Sequence, residues 1–175
     1  MKSIILCLSL LVFGFMGYGQ TNYDTCNNLQ KYAGEWRYTN GQDTIRIYLR
    51  TSRVTDQTYN VVQDRLWGWH EYKKGNTVVQ TDYAHRFMTL NSNAEVMLDS
   101  TSIALKQFRN CSNSYINLTG LIVDYNKGSQ AKNVTASFNS LGTEMLWKQT
   151  NGEGQGAING IYGMTLPKEF LLIKQ

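Results

Sequence analysis

His70 and His85 are the only two histidines in the chain, and histidine is the side chain best suited to moving protons near neutral pH. A hydrolase would set one of them beside a serine and a carboxylate. His70 lies between Trp69 and Glu71, and His85 lies beside Arg86 and near Asp82. No Gly-x-Ser-x-Gly elbow or other local nucleophile motif accompanies either. The thirteen carboxylates are dispersed, mostly near turns or on faces expected to be wet. No pair therefore stands out for glycosidic cleavage. There is no Asp-x-Asp-x-Asp-Gly calcium loop, and two histidines without a Cys-x-x-Cys fit zinc poorly. The expectation is no catalytic residue, no metal and no cofactor, with a solvated His85 and a half-buried His70.

Net charge is +4, with basic residues such as Arg37, Arg53, Lys74, Lys106 and Lys132 scattered along the chain. No block of like charge forms, which argues against a nucleic-acid partner. The aromatics are more informative. Four tryptophans and eleven tyrosines are many for this length. Aromatic bodies with polar tips suit ligand sites, but they also suit pleated, half-buried strand surfaces. Trp67 and Trp69 are the best binding candidates. Alternation places them on one face with Glu71, and Gly68, His70 and Tyr72 on the other.

Residues 1–19 set the compartment. Lys2 precedes an apolar run over residues 4–16, and Gly17-Tyr18-Gly19 supplies the small residues that a signal peptidase needs. The run is too short to span a membrane comfortably, since a spanning helix wants about 20 apolar residues. The expectation is a signal peptide cleaved before Gln20, and a secreted or periplasmic mature domain with no membrane span. Residues 20–175 make one domain's length, and a chain of about 150 residues buries enough surface to support a core. Two cysteines survive cleavage, Cys26 and Cys111. In an oxidising compartment they are expected to pair, at about 4–5 kcal/mol by chain-entropy bookkeeping. The alternative is two buried thiols.

The elements that must position these residues read as strands. Ile45, Ile47 and Leu49 alternate with Arg46, Tyr48 and Arg50, a strand with one wet side. The segment from Gly34 through Trp36 to Asn40-Gly41 precedes it, and Asn-Gly marks a tight hairpin turn. The pattern recurs from Gly68 to Gly75 and, more loosely, from Gly120 to Gly128, where a bulge would absorb the extra residue. Further strands are expected over residues 102–108, 115–123, 134–138, 144–149 and 169–174. The last should pair with the first strand or close the sheet. Residues 30–33 suit a short helical turn, residues 83–97 a short helix or long loop, and residues 151–163 a glycine-rich loop. The fold class is all-β: a single antiparallel up-and-down barrel or strongly curled sheet of about 8–10 strands.

The signal ending in Gly19-Gln20, the Tyr32-Ala33-Gly34-Glu35-Trp36 opening, the Gly68 to Gly75 hairpin, Leu118-Thr119-Gly120, Met145-Leu146-Trp147 and the closing Leu166-Pro167 to Gln175 together resemble a family of small secreted proteins of Bacteroidota known as a domain of unknown function. The resemblance implies a secreted β-rich domain with no assigned catalytic residues. Gly34-x-Trp36 after a helical turn is also similar to the opening of lipocalins, a likeness of architecture that implies a lipocalin-like barrel.

Three functions follow as expectations. The first is a non-enzymatic barrel that holds a small apolar ligand or presents a surface to an envelope or extracellular partner. There Ile45, Ile47 and Leu49 line the interior and Trp67 and Trp69 sit at the mouth. The second is a structural or interaction protein with a filled core and an exposed apolar patch. The third, and weakest, is a small hydrolase using His70 or His85.

Overall fold

The computed structural model describes residues 21–107, 117–128, 130–150 and 165–175. Its strands are β1 (Thr21–Asn22), β2 (Gly34–Asn40), β3 (Asp43–Asp56), β4 (Val61–Lys74), β5 (Thr77–Thr81), β6 (Ile103–Gln107), β7 (Asn117–Asp124), β8 (Gln130–Phe138), β9 (Glu144–Gln149) and β10 (Glu169–Lys174). One helix, α1 (Ala94–Ser100), and 3-10 turns at Leu29–Tyr32, Tyr83–Phe87 and Tyr125–Lys127 complete the described elements.

Eight of the strands close an antiparallel barrel. Around it run β2, β3, β4, β6, β7, β8, β9 and β10, and β10 pairs back onto β2. Closure removes the free edges that an open sheet would leave. The long β4 makes it possible. One edge of β4 pairs with β3 over fourteen residue pairs. Its other edge is divided among β1 at Val62 and Gln63, β6 at Leu66 to Gly68, and β5 at Glu71 to Lys74. The strand β5 therefore ends as a flap, and the chain crosses the outside of the barrel through α1 before re-entering it as β6.

Register sorts the side chains. Ile45, Ile47 and Leu49 on β3 face inward beside Tyr72, His70 and Gly68 on β4. Trp36, Ile103, Leu118, Ile122, Ala136, Met145, Trp147 and Leu172 join Ile45, Ile47 and Leu49 in one buried cluster. Each large apolar side chain so buried contributes about 1.5–3 kcal/mol relative to exposure. The turn Leu29–Tyr32 plugs one end: Tyr32 packs edge-on against Phe138, and the Trp36 indole N–H donates to the Tyr32 carbonyl at 2.9 Å. Two glycines allow the strands to approach. A Cβ on Gly68 would stand 2.7 Å from the Leu49 side chain, and one on Gly120 would overlap the Ala104 carbonyl.

Most expected strands appear, within a few residues of their expected bounds. The hairpin turns at Gly41 and Gly75 take φ +59°. The third unit is joined by the 3-10 turn Tyr125–Lys127 with Gly128 at φ +69°. Residues 83–97, where the sequence has no clear period, hold a 3-10 turn and the start of α1. The face of β3 expected to be wet is partly covered: Arg46 and Arg86 each lie 4.3 Å from the Tyr83 ring centroid, and Arg50 donates to the Met88 carbonyl at 2.7 Å. The expectations for residues 1–19, for Cys111 and for the loop 151–163 lie outside the described residues.

Candidate functional site

The histidines separate. His85 is exposed on its 3-10 turn. His70 is buried completely, not by half, because β4 turns it into the barrel, where Ser102, Asp124 and Lys132 are also buried. Its Nδ1 stands 2.7 Å from Ser102 Oγ and 3.7 Å from Asp82 Oδ1. Its backbone N–H donates to the same Asp82 oxygen at 2.7 Å, and the Tyr125 hydroxyl donates to the other at 3.3 Å. Asp124 accepts from both the backbone N–H and the hydroxyl of Thr165.

Serine, histidine and aspartate thus meet, but not as a relay. A nucleophilic triad places serine and carboxylate on opposite ring nitrogens. Here both approach Nδ1, and Nε2 has no hydrogen-bond partner among the described residues. Burial pushes the His70 pKa down, against the opposing pull of Asp82 and Asp124, so the neutral ring is favoured. The group ties β4, β6 and the ends of β5 and β7 together. Among the described residues no group of three or more His, Cys, Asp or Glu side chains is placed to hold a metal.

Trp67 and Trp69 do point away from His70, as alternation requires, but their face is not wet. Both are fully buried on the outside of the barrel. The helix α1 lies over them: Val54, Trp67, Ala94 and Met97 form a second core, with Leu90 and Ala104 packed against it. The Trp69 indole N–H donates to the Ser100 carbonyl at 3.3 Å. The sequence carried a signal for this cover in Asn93, whose side-chain oxygen accepts from the backbone N–H of Glu95 and Val96 at 2.8 and 3.1 Å and caps the helix. Ala94 and Met97, three apart, then share the buried side.

Beyond the edge of α1 the outer wall opens into a groove of about 510 Å³. Register builds its floor. Ala104 pairs with Leu121, which pairs with Asn133, and Lys106 pairs with Thr119, which pairs with Thr135. Because Leu105, Gly120 and Val134 face inward, these six face out. Leu98 of α1, 43% exposed, overhangs one side. Arg65 stands at the margin, its guanidinium carbon 5.8 Å from the Trp67 ring centroid. Trp67 itself pairs with Ala104 and so adjoins the floor. The volume lies within the range of small-molecule sites, about 300–1,000 Å³. Sequence reasoning missed this groove because its residues come from four strands and a helix that meet only in the closed barrel.

The fold and this groove define a closed eight-stranded antiparallel β-barrel with a half-covered outer wall. A model of a family of unknown function, DUF6705, matches residues 1–175, and the chain belongs to that family. No curated protein and no solved structure matches the chain.

Proposed function

We propose that this protein is an exported, non-enzymatic binding domain that holds a small apolar ligand in the groove on the outer wall of β6, β7 and β8. The groove carries the reading: an aliphatic floor, Ala104 and Leu121, rimmed by hydroxyl, amide and cationic groups. That mixture of apolar area with a few polar groups suits a small-molecule site. The interior has less support as the ligand chamber, because Ile45, Ile47 and Leu49 pack into the central core with no exposed surface. Trp67, beside Ala104, is the built-in reporter. Alkyl chains titrated into the purified protein should change its tryptophan emission saturably, and Leu121→Asp should abolish the change. A flat response across neutral, anionic and cationic chains would sink this reading.

Export rests on residues 1–19, and the Cys26–Cys111 disulfide goes with it. Expression of the full chain should yield a periplasmic or secreted product starting at Gln20 whose two cysteines alkylate only after reduction. Intact precursor in the cytosol would overturn export.

A second reading, an interaction module that presents its outer sheet to an envelope or extracellular partner, is favoured by Leu146, Leu171 and Ile173. They are exposed on β9 and β10, and Leu146 pairs directly with Leu171. A flat ligand response, together with association that Leu171→Lys abolishes, would favour it over the groove.

A further inference from the structure

The geometry points to a single-chain amphiphile with a carboxylate head as the groove's ligand, with Arg65 as the residue that seats the head. This rests on the groove reading above and adds the chemistry of the head group. Among the described residues Arg65 lacks a hydrogen-bonded carboxylate partner. Its side chain is only 16% exposed, and its one ion pair among the described residues, Nη2 to Asp56 Oδ2, is 3.7 Å long, beyond hydrogen-bond distance. Its Nε is buried with no hydrogen-bond partner among the described residues. A buried guanidinium donor left unmatched is costly, and a planar carboxylate is the group that matches its fork.

The charge around the groove agrees. Among the described residues its lining includes two cations, Arg65 and Lys106, and no carboxylate. Burial pushes the Arg65 pKa down, and the Asp56 and Glu95 carboxylates oppose that shift. Those two carboxylates match the two cations in number, but neither lines the groove, so the charged groups that face a ligand are the cations. The tail has its own surface. From Arg65 the floor runs over Ala104 and Leu121 under the overhanging Leu98, aliphatic side chains in a concave strip that fits one chain rather than a bilayer.

The test compares dodecanoate, dodecanol and dodecyltrimethylammonium, each titrated below its micelle concentration into the purified protein and read by tryptophan emission. Dodecanoate is expected to bind about ten-fold tighter than the other two, the scale of a hydrogen bond to a charged group. Arg65→Gln should erase that preference while leaving dodecanol binding in place. Arg65→Lys should retain part of it, and Lys106→Gln should change it little. The wild-type comparison stands even where an Arg65 variant fails to fold. Equal affinity for all three heads would overturn the carboxylate assignment and leave the groove reading intact. Tighter binding of the cation would also overturn it. No binding of any chain would sink both.

Discussion

The outer faces of β4 and of β6 to β8 are continuous through the Trp67–Ala104 pair, yet one is dry core and the other is an open groove. Strand chemistry does not separate them, because both mix apolar residues with arginine, lysine or threonine. What separates them is cover. Ala94 and Met97 of α1 seal Val54 and Trp67, and the helix ends at Ser100 before it reaches Leu121. A sheet face becomes interior or surface according to what crosses it, and here one seven-residue helix draws the line.

The sharpest way to break this comparison is truncation on each side of the line. Trp67→Ala should cost about 3–5 kcal/mol, as large-to-small changes in cores do. Leu121→Ala should cost about 0.5 kcal/mol, as surface changes usually do. Urea unfolding measures both, and similar losses would show that the groove floor is packed as tightly as the covered face.

Removing the cap loosens the cover without touching the core it protects. Asn93→Ala should cost about 1 kcal/mol, the usual worth of an N-cap. It should also raise acrylamide quenching of tryptophan emission, because Trp67 and Trp69 lie directly beneath α1. Lost stability with unchanged quenching would mean that something other than α1 keeps those rings dry.

The smallest effect is a control from the opposite face of β4. His70 is buried neutral, with its pKa below the ordinary value of about 6.5. Between those two values the unfolded chain binds a proton that the folded chain does not. Stability from this group is therefore full above pH 6.5 and falls as pH drops below it. Glu35, whose burial would raise its carboxyl but is outweighed by Arg46 and Tyr83, and Asp64, held below its ordinary range first by Arg53, add losses only at lower pH, under about 4.5. Thermal melts between pH 7 and 5 should show a decline that His70→Asn removes. An equal decline in the variant would assign it elsewhere.

Much of the barrel was legible. The Ile45-Ile47-Leu49 alternation and the glycine turns at Gly41 and Gly75 follow from period and turn chemistry. The burial of Trp67 and Trp69 was not. Period two assigns residues to opposite faces but does not say which face stays wet, and β4 buries both. The Ser102–His70–Asp82 meeting was equally hidden, because thirty-two residues separate Ser102 from His70 and only the β4–β6 pairing joins them.

The sequence by itself determined the strands, their hairpin turns and the parity of each side chain, because these depend on neighbours one to four positions away. Only the tertiary structure decided where the barrel closes, that α1 lies across β4, and that Arg65, Leu98 and Leu121 share one groove. Those outcomes depend on which distant surfaces exclude water together, and no local pattern in the chain encodes that.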